Sequence, residues 1–205
     1  MNRYDALLLK VKDRLGDYRY SHVYGVYKEC IRLADIFGLS DKDRDDLLIS
    51  AIFHDITKAY NTKEQIELAK VLGVSLSPED TASPKTLHAI TASALIAKEF
   101  PEHASSEVCS AVRYHTTGRE NMSTVEKLLY LADYIEEGRR FPDCVQVRDY
   151  FYSLINAAAE PDTALERAML LSFDLTLAQL EEEGTYIHPK TVISRNYLAK
   201  KLEYN

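Results

Sequence analysis

Helix-opening and helix-closing signals alternate along almost the whole chain, and this alternation limits the fold more than any other feature. Tyr4, Leu7, Leu8, Val11 and Leu15 form one apolar stripe, ended by Gly16. Val23, Val26, Tyr27, Cys30 and Ala34 form a second, closed by Gly38. Ser40 with Asp43 is a capping-box signature opening a helix through Leu47, Leu48, Ala51 and Ile52. Thr62 with Gln65 starts a shorter helix that stops at Gly73. Gly73 to Pro84 is the one loop of note, able to drape over a site or simply to connect helices. Pro84 suits a first helical turn ahead of Leu87 to Phe100, and Ser105 or Ser106 caps the helix ending near His115. Ser123 with Glu126 is a further capping box, before Leu128, Leu129, Ala132 and Ile135. Val145 to Ala159, Thr163 to Glu183 and Thr191 to Glu203 read as the last helices. No segment alternates as a strand does, and no repeat or low-complexity tract interrupts the pattern. The expectation is one all-α domain over residues 1–205, with a core at about 18–140 and C-terminal helices over 145–205 packed on it.

Composition agrees where it bears on this. Seven glycines, six prolines and no tryptophan suit long helices better than a turn-rich sandwich. A formal net charge of −7 repels phosphate backbones, so nucleic acid is not the expected partner. A small anion remains compatible, because a metal site concentrates positive charge locally. Cys30, Cys109 and Cys144 are too scattered for a disulfide framework or a zinc knuckle and read as small buried hydrophobes. The opening MNRYDALLLKVKDRLG reads as an amphipathic helix rather than a signal peptide, and no run is long enough to span a bilayer. A cytoplasmic location is expected.

Six histidines are present. His103 lies in a polar inter-helix turn and His188 precedes Pro189 in another, so both read as bystanders. His54 and Asp55 follow LLISAIF, which is apolar almost all round, as a buried helix is. A carboxylate there is costly unless it is paired or holds a metal. Imidazole beside carboxylate suits iron, manganese, cobalt or zinc. Glu126, Tyr130, Asp133, Glu137 and Arg140 form a polar stripe at helical spacing. For Glu126, Glu137 and Arg140 a solvated face suffices, whereas Asp133 sits within LLYLADYI among residues that read as buried. His22 and His88 come early in their helices and His115 ends a third. Spacing alone does not bring them together.

The ordered set of a histidine, a His-Asp pair, two further histidines and a final aspartate resembles the HD-domain phosphohydrolases. In finer detail the chain is similar to the bacterial YqeK branch, the symmetrical diadenosine tetraphosphate hydrolases. RYSH at 19–22, IFHDITK at 52–58, LH at 87–88, YHTTG at 114–118 and EKLLYLADYIE at 126–136 carry the likeness. RRFP at 139–142, Arg148 and RNYL at 195–198 complete it. Two positions depart from the branch: Ala89 where it usually has glycine, and Glu137 where it favours proline.

The resemblance implies an HD-type helical bundle around a metal site, with two divalent ions. Iron is the first expectation, and manganese or cobalt are alternatives. By the same resemblance His22, His54, Asp55 and Asp133 hold one ion, and His88 and His115 hold the second, with Asp55 bridging. A metal-activated hydroxide would then attack phosphorus, splitting a dinucleoside tetraphosphate at its centre into two ADP. Lys58, one turn beyond His54, is placed to assist as a point charge on phosphate. Arg19 and Arg139 are candidate phosphate clamps, a surface ion pair being an equal alternative for Arg19. Thr116, Thr117 and Gly118 are candidate hydroxyl and backbone N–H donors. The rival readings are another HD nucleotide phosphohydrolase, such as a 5′-nucleotidase, a dNTPase or a (p)ppGpp hydrolase, and a nucleotide-sensing or assembly factor with little turnover. The expected partner is a nucleotide, and a homodimer is compatible.

Overall fold

The computed structural model describes residues 3–203, and among them every regular element is helical. The order is α1 (Arg3–Lys12), α2 (Asp17–Ile36), α3 (Asp41–Phe53), α4 (Thr62–Val71), α5 (Pro78–Ala82), α6 (Leu87–Glu99), α7 (Ser106–Tyr114), α8 (Thr124–Ile135), α9 (Pro142–Asn156), α10 (Pro161–Glu182) and α11 (Pro189–Glu203). The all-α expectation is met.

Local chemistry explains most boundaries. Ser40 accepts from the Asp43 N–H at 3.2 Å, Ser105 from the Val108 N–H at 3.1 Å, and Ser123 from the Glu126 N–H at 3.1 Å. A side-chain cap of this kind contributes about 1 kcal/mol. α4 starts on Asn61, whose side chain forms a full capping box with Glu64, rather than on the expected Thr62–Gln65 pair. Part of the expected 73–84 loop is helical. Ser77 and Asp80 cap each other's backbone around α5, and Pro78 occupies its first position.

α3 and α8 form the middle of the bundle. Leu47 to Phe53 of α3 and Leu128 to Ala132 of α8 are buried on every side, so the apolar runs read from the sequence are central helices. α2 and α7 each pack against both, α6 packs on α7, and α4 packs on α6. α10 joins α8 to α9 and α11. The core runs continuously from Leu7 of α1 to Leu198 of α11. Truncating a ring such as Phe53, fully buried against Phe100, would cost about 3–5 kcal/mol.

Three expectations need correction. Glu126 is not on a solvated face: it is fully buried, accepts 2.8 Å bonds from both Nε and Nη2 of Arg119, and accepts from the Ser123 N–H at 2.7 Å. His188 is not an exposed turn residue. It is buried, accepts from the Lys190 N–H at Nδ1, and presents Nε2 to Asp80 Oδ1 at 3.2 Å. Cys109 is only half-buried, unlike Cys30 and Cys144. No described helix is long and apolar enough to cross a membrane.

Candidate metal centre

The ends of three helices and the early turns of two others bring the six expected metal-binding side chains together. His54 caps the C-terminus of α3 and His115 caps that of α7. Each ring folds back on its own helix: His54 Nδ1 donates to the Ala51 carbonyl at 2.8 Å and His115 Nδ1 donates to the Val112 carbonyl at 2.7 Å. That bond fixes the tautomer and leaves the Nε2 lone pair facing inward. His22 reaches in from α2, His88 from the first turn of α6, and Asp133 from the last turn of α8.

Asp55 lies in the tight turn after α3, which a buried network ties to α6. The Thr57 hydroxyl donates to the His88 carbonyl at 3.0 Å, Gln65 Nε2 donates to the Thr57 carbonyl at 2.6 Å, and the Thr91 hydroxyl donates to Gln65 Oε1. Asp55 and His88 are therefore set on one rigid unit although 33 positions of sequence, by subtraction, separate them.

The carboxylate of Asp55 divides the cluster. Its Oδ2 stands 3.7 Å from His22 Nε2 and 3.6 Å from His54 Nε2. Its Oδ1 stands 3.2 Å from His88 Nε2 and 3.9 Å from His115 Nε2. Asp133 Oδ1 completes the first side, 2.9 Å from His22 Nε2 and 3.8 Å from His54 Nε2. Three overlapping groups, His22–His54–Asp55, His54–His115–Asp133 and Asp55–His88–His115, each hold their donor atoms within 4.8 Å of one another.

These residues fit a divalent metal. Donors bonded to one ion at about 2.0–2.2 Å stand about 3–3.5 Å apart, close to the spacings found. His54 Nε2 is buried without a hydrogen-bond partner, a costly state for a polar atom unless an ion takes the lone pair. Protonation points the same way. Burial pushes His54 down, and pushes His88 and His115 down to about 4, so three imidazoles are neutral at pH 7. Burial would raise the carboxyls of Asp55 and Asp133, but the imidazoles of His54 and His88 with Lys58 beside Asp55, and Arg139 with His22 beside Asp133, outweigh it and hold both well below the usual carboxylate range. Burial alone would lower His22, yet Asp133 and Glu136 outweigh it and raise it to about 9. A metal would displace that proton.

Glu136 was absent from the sequence-based candidates. Its Oε1 lies 3.2 Å from His22 Nδ1, and its Oε2 accepts from the Gly138 N–H at 2.7 Å. It is the carboxylate that orients this histidine. Glycine at position 25 gives it room, since a β-carbon there would collide with its carboxylate.

The remaining candidates divide. Arg19 Nη1 pairs with Asp55 Oδ2 at 2.7 Å and Arg139 Nη2 pairs with Asp133 Oδ1 at 2.8 Å, each beside a cavity of about 330 Å³ that opens onto His22. Lys58 Nζ lies 3.2 Å from both ring nitrogens of His88, and burial lowers its pKa. Thr116 and Thr117, which follow His115 directly, line a second crevice with Arg113 and His188. The Thr117 hydroxyl is engaged by the Gly118 carbonyl and the Gly118 N–H by the Tyr114 carbonyl, at 3.0 and 2.8 Å. Thr116 Oγ1 is buried without a partner. At φ +64° Gly118 is also left-handed, and a β-carbon there would press on Phe173 and Ser194. Packing accounts for this glycine.

The HD domain family model matches residues 19–138, the span that contains all six side chains. The chain belongs to the HD-domain family. It is 33% identical over 97% of its length, and 98% of the relative's, to the symmetrical bis(5′-nucleosyl)-tetraphosphatase of Bacillus subtilis strain 168. It is 35% identical to the protein of the same name from Halalkalibacterium halodurans, over 97% of both chains. These relatives place it in the symmetrical tetraphosphatase branch of the HD family. Among solved structures it is similar to a predicted HD superfamily hydrolase involved in NAD metabolism from Clostridium acetobutylicum. The TM-score is 0.82, with 32% identity, covering 98% of this chain and 99% of the other.

Proposed function

We propose that this HD-family protein hydrolyses dinucleoside tetraphosphates symmetrically, taking diadenosine tetraphosphate and water to two ADP. The observation that carries the reading is the position of Asp55, one oxygen toward His22 and His54 and the other toward His88 and His115. That arrangement suits two divalent ions, iron first, with manganese or cobalt as alternatives. When bound, such ions supply an activated water and positive charge against phosphoryl oxygens. The names of the relatives from B. subtilis and H. halodurans support the choice of substrate.

The chain's own residues bind and orient. His22, His54, Asp55 and Asp133 would hold one ion, and His88 and His115, with Asp55, would hold the other. Glu136 keeps the His22 ring aimed inward. Arg19 and Arg139, whose guanidinium groups already lie against the ligand carboxylates, turn their free N–H groups to the phosphate chain. Lys58, pressed on His88, adds a charge on the other side. The protein then works in the cytoplasm on a small nucleotide, and a homodimer is compatible with it.

Chromatography of the products from diadenosine tetraphosphate, with metal-stripped protein resupplied with Fe²⁺, Mn²⁺ or Co²⁺, tests the reading. ADP as sole product is expected. AMP and ATP in equal amounts would overturn symmetrical cleavage, and no turnover with any of the three ions would overturn the enzymatic reading.

A further inference from the structure

Two aromatic rings stand at the mouth of the cavity that leads to His22, outside the hydrophobic core, with the Arg19 guanidinium 6.0 Å from the centre of the Tyr18 ring. Tyr18 is 81% exposed and Phe141 is 60% exposed. Neither is among the residues packed on the hydrophobic core. Both line the same cavity of about 330 Å³, with Arg19, His22, Glu136 and Arg139 forming its inner wall. Its volume falls within the range of small-molecule sites, about 300–1,000 Å³.

The rings are mounted on rigid supports. Tyr18 lies in the first turn of α2, next to Arg19 and one turn before His22. Phe141 is the N-cap residue of α9, immediately before Pro142. The loop leading to Phe141 is pinned by Arg148, whose guanidinium donates to the carbonyls of Ile135, Glu136 and Arg139 at 2.6, 2.7 and 2.6 Å. Leaving a large ring in water on a fixed backbone forgoes the free energy its burial would contribute. A flat ligand that covers the ring recovers it.

We propose that Tyr18 and Phe141 form a nucleoside platform, whose ring faces stack with the purine of the nucleotide whose phosphates reach the metal cluster. The inference rests on the nucleotide reading given above and adds to it where the base sits. The order of exposure along the cavity supports this occupant: His22 of the metal cluster is the least exposed, then the cationic Arg19 and Arg139, then the aromatic rings at the mouth. A nucleotide presents phosphate, sugar and base in that same order. Beside the rings the Ser21 hydroxyl is engaged by the Asp17 carbonyl at 3.0 Å and the Gly138 N–H by Glu136 at 2.7 Å, and the open N–H groups of Arg19 and Arg139 go to phosphate. Recognition by ring faces, without donors directed at the base edge, tolerates different purines. Adenine and guanine nucleotides therefore bind with similar affinity.

The chain has no tryptophan, so a fluorescent base can be observed without background from indole. Manganese-loaded wild type and the variants Tyr18→Ala, Phe141→Ala, Tyr18→Phe and Phe141→Tyr are titrated with 1,N6-etheno-ADP, and separately with inorganic pyrophosphate. Wild type binds etheno-ADP more tightly than pyrophosphate and quenches its fluorescence. Each alanine variant weakens etheno-ADP about 5- to 150-fold, the range a lost base stack gives, and leaves pyrophosphate unchanged. The Phe and Tyr exchanges keep wild-type affinity. Alanine variants that bind etheno-ADP as wild type does, as they would if the rings serve a protein partner, overturn the platform. So does an equal loss of pyrophosphate binding, which marks a general disturbance of the site. A stack that is present in a protein that does not hydrolyse diadenosine tetraphosphate would leave the platform standing and overturn the proposed reaction instead.

Discussion

Glu136 stands 3.2 Å from Nδ1 of His22 although 114 positions separate the two in sequence, and it reaches there because residue 25 carries no side chain. The acid comes from the end of α8 and the histidine from the second turn of α2, so the glycine lets two helices meet at the metal cluster.

Removing that acid should loosen the site without dismantling the fold. Glu136→Gln loses the charge that keeps the His22 ring oriented, and metal affinity should fall about 10- to 100-fold, the usual cost of losing such a partner. Gly25→Ala should act in the same direction by pushing the Glu136 carboxylate aside. Competition with a chromogenic chelator reads both. Unchanged affinity in Glu136→Gln would show that His22 needs no orienting partner.

His88 belongs to the Oδ1 side of Asp55, and its removal should spare the other side. His88→Ala is expected to retain one ion per chain and to lose most turnover. Elemental analysis after gel filtration would count the ions, and two in the variant would remove His88 from the site.

His188 supports the fold. Its imidazole bridges Asp80 in α5 and the start of α11 from a buried position. His188→Ala leaves Asp80 Oδ1 without its partner while Oδ2 keeps the Ser77 N–H, and stability should fall by about 1–3 kcal/mol in urea unfolding, with kcat at low temperature little changed. A stable variant with lost activity would place this histidine in catalysis.

Glu166 should set part of the acid limb of stability. Burial raises its carboxyl, but hydrogen bonds from Lys127 and Lys201, at 2.7 and 2.5 Å, prevail and hold it below its ordinary value. A group depressed in the folded state contributes stability above its unfolded pKa, about 4.3, and loses that contribution as pH falls through the lower folded value. Glu166→Gln should therefore be less stable at pH 7 and vary less with pH below about 5, as seen in urea midpoints taken across that range.

Much of this was legible in the sequence, for physical reasons. Caps at Ser40, Ser105 and Ser123 and the all-round apolar runs before His54 and around Asp133 depend on neighbours in the chain, and they located α3, α7 and α8. The six metal-binding candidates carried a family pattern of order and spacing. What escaped depended on distant pairing. Glu126 shared a helical stripe with exposed residues, and only Ser110 of α7 and Arg119 of the segment between α7 and α8 reveal it as buried. His188 looked like a turn residue because its partner Asp80 lies 108 positions away, in a helix read as loop. Glu136 sat in full view within YLADYIE, but its task depends on the absence of a side chain at Gly25. Thr117 and Gly118 were offered as donors to substrate, and the structure shows the hydroxyl and the N–H engaged within the turn.

One carboxylate, that of Asp55, faces both metal positions, so the metal content of Asp55→Asn is the decisive measurement. The amide keeps the shape of the side chain but gives up its charge and half of its bridging capacity. Protein purified without chelator, folded by circular dichroism and analysed for metal per chain, should hold two ions in wild type and far fewer in the variant, with turnover lower by several orders of magnitude. A folded Asp55→Asn that holds two ions and turns over near the wild-type rate would contradict the account.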